Sequence, residues 1–293
     1  MVHRFILHNQ DIREASELSL SPGQVGLLSG WGVFSTLRIA DGVLFAFERH
    51  WARIARDAVR LHVPIPDDPE AVRRKLLDLL DANGTPNCTL RLVIVRNGGG
   101  IWEGPSNGRK SDVIALTAET KDWGNGVKLA YQAQGRHAAS PFAGAKMLSW
   151  APNLTWAEEA HDRGFDEVIL LNERGEVSEC TSANIFAAAR GEVWTPPLNS
   201  GCLPGITREV ILQEIRVPGI RILEKVLQPA DLEAAEEVFI TSTTRDLLPV
   251  RQIEAHPMAP GGAARLALQS AFSAYVDRYI AQHRQPQPVV TTR

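Results

Sequence analysis

EVILLNERGEVSECTSANIFAAA, residues 167–189, is the stretch on which the fold turns. Glu167–Leu171 is a short apolar run. Asn172-Glu173-Arg174-Gly175 is turn chemistry, and Val177–Glu179 and Asn184–Ala189 are two further strand-like runs. Val193–Thr195 extends the series. No helix-length segment separates these runs, so they predict a meander. A sheet bent toward a barrel follows, and a doubly wound parallel sheet does not.

Outward from this stretch, Val127–Tyr131 predicts a strand and Ala151–Arg163 a helix burying Leu154, Ala157 and Ala160. Downstream, Thr207–Ile215 predicts a helix, and Ile220–Val226, Glu236–Ile240 and Leu247–Ile253 predict strands. Gly262–His283 predicts a long closing helix, with a frayed polar tail from Gln285 to Arg293. Toward the N-terminus, strands are predicted at Phe5–His8, Val33–Ile39, Val43–Phe47, Cys88–Val95 and Asp112–Thr117. Asn9-Gln10-Asp11 reads as a turn, Leu18–Ser29 as a loop, and Asn97–Gly100 as a flexible turn. Two amphipathic helices lie between, Glu48–Leu61 and Pro69–Asp81, the second with Val72, Leu76, Leu79 and Leu80 inward. The expectation is an α+β protein of two domains, 1–120 and 121–293, joined by Glu119–Gly126.

The chain has 293 residues and a formal net charge of -3, enough length for a large buried core and no charge excess to suit nucleic acid or an anionic membrane. No apolar run approaches the roughly 20 residues that span a bilayer, and the N-terminal apolar run is too short for a signal peptide. Cys88, Cys180 and Cys202 lack metal-ligand spacing and form an odd set, which predicts reduced thiols, no metal and a cytoplasmic location.

Lys146 stands apart from the other lysines. It lies in AKMLSW, residues 145–150, with apolar neighbours on both sides, whereas Lys75, Lys110 and Lys121 sit among charges. Desolvation lowers a lysine's pKa, and a partly neutral amine can attack a carbonyl. A snorkelling lysine is the bland alternative, and Lys225 in LEKVL, residues 223–227, reads that way. Arg49, Arg53, Arg56 and Arg60 recur at helical spacing, which taken alone reads as a solvated stripe. Glu179 at a strand end, Gly205-Ile206-Thr207 at a helix start, and Thr241-Ser242-Thr243-Thr244 complete the candidate set. A helix start with free N–H groups suits phosphate.

These residues together resemble the class IV, or fold-type IV, aminotransferases, over nearly the whole span from Gly32 to Val250. The group holds branched-chain aminotransferases, D-amino-acid aminotransferases and aminodeoxychorismate lyases. The matching motifs are His50-x-x-Arg53, Lys146, Glu179-x-x-x-x-Asn184, the run LPGITR at 203–208, and Thr243. The resemblance implies a small α/β sandwich domain and a larger pseudo-barrel domain, as in D-amino-acid aminotransferases. It implies pyridoxal 5'-phosphate held by Lys146 as a Schiff base, with Glu179 at the ring nitrogen. The phosphate would be held by Arg53, Thr243 and the backbone of Ile206 and Thr207. Freed Lys146 would act as general base in ping-pong exchange between amino acid and oxo acid. A homodimer is implied as well.

The subgroup motifs conflict. FSTLR at 34–38 is similar to the lyase pattern and brings in Thr36 and Arg38. Arg91 matches an arginine of branched-chain enzymes, with Thr89 where those have tyrosine. Ile101 and Trp102 stand where lyases and D-amino-acid enzymes place a carboxylate-binding arginine, which predicts an apolar wall. Thr244 matches a position facing the substrate carboxylate. The expected function is transfer of an amino group from an apolar, branched-chain amino acid to 2-oxoglutarate, with Arg38 and Arg91 for the distal carboxylate. The alternative is aminodeoxychorismate lyase, releasing pyruvate and 4-aminobenzoate.

Overall fold

The computed structural model describes residues 1–18, 25–99, 108–259 and 262–284. In chain order the first half runs β1 (Val2–His8), β2 (Asp11–Glu14), α1 (Val25–Ser29), β3 (Gly32–Ala40), β4 (Val43–Leu44), α2 (Phe47–Arg60), α3 (Pro69–Asn83), β5 (Cys88–Arg96) and β6 (Ser111–Ala118). The second half runs β7 (Val127–Gln132), α4 (Ala151–Asp162), β8 (Glu167–Leu171), β9 (Val177–Cys180), β10 (Asn184–Ala189), β11 (Glu192–Thr195) and α5 (Ile206–Gln213). It continues with β12 (Arg221–Glu224), α6 (Pro229–Glu233), β13 (Glu237–Ser242), β14 (Asp246–Ile253), β15 (His256–Pro257) and α7 (Ala263–His283). The α+β expectation holds.

The first sheet is antiparallel in the order β2-β1-β6-β5-β3-β4. One face carries α2 and α3. Leu37, Leu90, Leu92 and Ile94 of the sheet bury against Ile54, Leu76 and Leu79 of the helices. Each such side chain contributes roughly 1.5–3 kcal/mol of burial. Helix α3 starts where Asp68 accepts N–H bonds from Glu70 and Ala71 at 2.9 and 3.1 Å, with Pro69 at the first turn. It stops at Gly84, whose φ of +60° favours glycine. The register sets Thr36 directly opposite Arg91.

The second sheet has the order β12-β11-β10-β13-β14-β7-β8-β9. It curls into a half-barrel: the edge strand β9 comes back near β10, and the Cys180 N–H bonds to the Ala183 carbonyl at 2.8 Å in the turn between them. The curl arises because β8, β9 and β10 are consecutive yet β9 ends one edge of the sheet while β10 pairs with β13. The strands thus wrap one shared core containing Leu129, Ile169, Val177, Ile185 and Ile240. The pseudo-barrel expectation is met. On the outer face Phe186 stacks on Phe239 at 5.2 Å beneath α5 and α7.

The turn at Asn9-Gln10 is present, and it joins β1 to a strand, Asp11–Glu14, that the sequence reading left unassigned. Two local expectations fail. Val25–Ser29, read within a loop, is a short helix. Leu154 is 57% exposed, while Asn153 and Ala160 are buried on α4. Apolar periodicity chose the leucine, but the helix turns a polar residue inward, toward the cavity described below. The tail from Gln285 and the tip of the Asn97–Gly100 turn lie outside the described residues.

Candidate active site

A cavity of about 610 Å³ opens between the two sheets. Its walls come from β3, β5 and α2 on one side, and on the other from the loop before α4, the β9–β10 turn, the start of α5 and the β13–β14 turn.

Lys146 enters this cavity from a segment that adds to the edge of β3. Its carbonyl accepts the Phe34 N–H at 3.1 Å, Leu148 N–H bonds to Gly32 at 3.0 Å, and Met147 bridges Val33. On the other flank the Lys146 N–H donates to Asp57 Oδ2 at 2.9 Å. The amine stands 4.5 Å from the centre of the Phe34 ring and makes no hydrogen bond or ion pair among the described residues. Burial chiefly, then Arg53 and Arg91, lowers its pKa to about 7, against the pull of Glu179 and Asp57. Part of its surface still meets solvent through the cavity mouth. Lys225 is different: its amine lies 4.0 Å over Trp194 and 3.6 Å from Asp231, the surface role expected of it.

Arg53 is 7% exposed. It donates to Ser35 Oγ at 2.8 Å and to the Pro204 carbonyl at 3.2 Å, while its Nε has no protein partner. Burial brings its pKa down to about 10. Ser35 also meets His50 Nδ1 at 2.7 Å, and burial, Arg53 and Lys146 push that imidazole far below its ordinary range, so it is neutral. The solvated-stripe reading fails for Arg53; Arg56 stays exposed as that reading has it, and Arg49 and Arg60 are half-buried, although all three also bind distant groups. Arg49 pairs with Glu209 and Glu214, Arg56 donates to the Gly144 carbonyl at 3.2 Å, and Arg60 donates to the carbonyls of Pro141 and Ala143.

Beside Arg53 lies the first turn of α5, which opens at Gly205 without a side-chain cap. Its leading N–H groups therefore lack intrahelical acceptors. A Cβ on residue 205 would come within 2.1 Å of Asn184 Oδ1, so the turn can approach the β10 strand only as glycine. Asn184 in turn donates to the Leu203 carbonyl at 2.8 Å. Ile206, Thr207, Thr243 and Thr244 line the same cavity.

Glu179 is buried, and both its oxygens are engaged. Oε1 accepts from Arg136 Nε at 2.9 Å and Oε2 from the Leu203 N–H at 3.0 Å. Arg136 also donates to Asn153 Oδ1 at 3.2 Å, and Asn153 donates to the Thr181 carbonyl at 2.6 Å. Sequence reading missed Arg136, Asn153, Ser35 and Asp57. Only the inward polar Asn153 on a helix otherwise apolar at that phase gave a signal.

The remaining wall holds Phe34, Thr36, Arg91 and Trp150. Arg91 has no acidic partner among the described residues; its guanidinium lies 4.2 Å from the Phe34 ring centre and 6.0 Å from that of Trp150. Arg38 requires a correction. It shares the β3 face with Thr36 but sits one step farther along, outside the cavity, and forms an ion pair with Asp246. A charge already neutralised there is not available to a substrate. Ile101 and Trp102 lie outside the described residues. Opposite, Arg245 stacks 3.8 Å over Trp123 and pairs with buried Glu167 at 3.3 Å, a wall that no motif announced. The three cysteines are buried and free, and no cluster suited to a metal occurs among the described residues.

Comparison with known proteins bears on this arrangement. The family model for amino-transferase class IV matches residues 32–253. A Methanocaldococcus jannaschii protein assigned as a branched-chain-amino-acid aminotransferase is 32% identical over 232 residues, covering 78% of this chain and 81% of that one. The D-alanine aminotransferase of Bacillus licheniformis is 28% identical, covering 89% and 92%. Among solved structures, a branched-chain aminotransferase of Thermoproteus uzoniensis with norvaline superposes with a TM-score of 0.86 at 25% identity, covering 95% of this chain and 98% of that one.

Proposed function

This chain belongs to the class IV aminotransferases, and on that premise we propose that it transfers the amino group of an apolar, branched-chain amino acid to 2-oxoglutarate. The family's cofactor is pyridoxal phosphate, and the residues present fit it. Arg53 Nε is buried without a protein partner, and the glycine-opened turn of α5 leaves N–H groups free beside it. Arg53, Thr243 and the backbone of Ile206 and Thr207 would hold the phosphate, with Glu179 at the ring nitrogen and Lys146 at the aldehyde. Bound there, the cofactor supplies an electron sink for the bond broken at the substrate's α-carbon.

The protein's own contribution is placement of charge and protons. Lys146, with its pKa lowered to about 7, is about half neutral at neutral pH and can both attack and carry a proton at Nζ. Arg136 and the Leu203 N–H hold the Glu179 carboxylate in one orientation. Phe34, Trp150 and Trp123 give the cavity aromatic walls that would limit water around the reacting atoms. Arg91 is the group that carries the acceptor assignment, because a partly desolvated guanidinium without a carboxylate suits an anionic substrate. Thr244 would face the α-carboxylate. The apolar walls beside Arg91, and branched-chain enzymes among the relatives, support the donor class.

An amino-donor panel of both enantiomers against 2-oxoglutarate and pyruvate tests this reading. Leucine, isoleucine or valine should lead, and Arg91→Ala should raise the KM for 2-oxoglutarate while sparing that for leucine. Thr36 lines the cavity opposite Arg91 and keeps the lyase reading in play. Pyruvate release from aminodeoxychorismate that exceeds transamination and collapses in Thr36→Gly would replace the transaminase assignment. We also propose two domains, 1–120 and 121–293, each holding one sheet, and a cytoplasmic homodimer. Free buried cysteines and exposed Phe142 and Leu154 support these, and light scattering tests the dimer.

A further inference from the structure

Helix α2 touches both ends of the site. Arg53 points to the phosphate end, and Asp57, one turn later on the same face, is 1% exposed and reaches the lysine end. Its Oδ1 accepts from Arg56 at 2.9 and 2.6 Å, and its Oδ2 accepts the Lys146 N–H at 2.9 Å. The Lys146 carbonyl is held from the opposite side by Phe34 N–H at 3.1 Å. Arg56 and Arg60 bind the carbonyls of Gly144, Ala143 and Pro141 in the approach to the lysine. Helical residues four apart rise by about 6 Å in a rigid frame, so one helix spaces the guanidinium from the lysine main chain.

We infer that Asp57 is a positioning residue: its bond to the Lys146 N–H sets the reach of the amine relative to the phosphate site at Arg53. A buried carboxylate is expensive to place, and here it is matched by Arg56 and by the Lys146 main-chain N–H. The side chain touches neither cavity contents nor the amine, so it acts through the lysine's main chain.

This inference rests on the assignment of Lys146 and Arg53 above. The experiment separates two quantities in apo-protein. Affinity for pyridoxamine phosphate, which cannot bond to the lysine, reports the phosphate site. The rate of borohydride-trappable capture of pyridoxal phosphate reports the amine's placement. Asp57→Ala should slow capture roughly ten- to a hundredfold and leave pyridoxamine phosphate affinity within threefold of the native value, taken as about one. Asp57→Ser, too short to reach the N–H, serves as a second break should the alanine variant not fold. Asp57→Asn keeps one acceptor oxygen, for which Arg56 competes, so it is compared with Asp57→Ala in an Arg56→Ala background, where that oxygen is free for the Lys146 N–H and should restore capture. Equal loss of both quantities, no loss of either, or an asparagine variant as slow as alanine in that background would overturn the inference. Failure of the native protein to capture the cofactor at Lys146 would instead overturn the assignment beneath it.

Discussion

Helices α2 and α3 lie on the same sheet and look alike in sequence: each has an apolar face and a row of basic residues. Their polar faces meet different fates. On α3, among the described residues, Arg73, Arg74 and Lys75 pair only with acids near the same helix, at 3.3–3.5 Å, and Arg74 is mostly in water. On α2, Arg49 reaches the acids of α5, Arg53 is buried at the cavity, and Arg56 and Arg60 hold carbonyls of the lysine-bearing loop. Periodicity reports which residues share a face. It does not report whether water or a second sheet covers that face. The cost of desolvating a guanidinium is met on α2 by carbonyls and carboxylates far away in sequence, which no local pattern can reveal.

The strongest way to test what α2 serves is to remove the amine it frames. Lys146→Ala should abolish covalent cofactor and cut turnover by roughly 10²–10⁴ or more, read by borohydride reduction and peptide mapping. Cofactor recovered on Lys225 would break the comparison outright, since that lysine lies on the surface away from α2.

The next effect is on pH. Lys146 is lowered to about 7 by burial and by Arg53 and Arg91, so its neutral form dominates above that pH. Capture of pyridoxal phosphate by apo-protein should fall about tenfold per pH unit below 7, roughly a hundredfold by pH 5. A rate still rising at pH 9 would mean an ordinary, hydrated lysine, and hence a wet rather than a covered α2 face.

Arg53→Ala comes third. Loss of a charge-assisted bond of roughly 1.5–3 kcal/mol should weaken cofactor retention by one to two decades in equilibrium dialysis. Arg49→Ala should leave retention near native, because Arg49 spends its charge on Glu209 and Glu214. The smallest effect compares the two helices directly. Arg60→Ala should cost about 1 kcal/mol in urea unfolding, and Arg74→Ala should stay within about 0.5 kcal/mol. Equal values for both would return α2 to the solvated reading.

Much of this protein was legible in its sequence. The meander at 167–195, the two amphipathic helices and the long C-terminal helix follow from local periodicity and turn chemistry, and they appear with boundaries shifted by a few residues. Lys146, Arg53, Glu179, Ile206, Thr207, Thr243, Thr36, Arg91 and Thr244 all line one cavity, because motif residues carry their chemical type with them. Tertiary structure alone decided their environments. It withdrew Arg38 to Asp246, supplied Arg136 to Glu179 and Asp57 to the Lys146 main chain, and turned Asn153 rather than Leu154 inward. The physical reason is range. Propensity and amphipathic spacing act over a turn or two of chain, whereas burial and ion pairing are settled by groups brought together from residues tens to hundreds of positions apart.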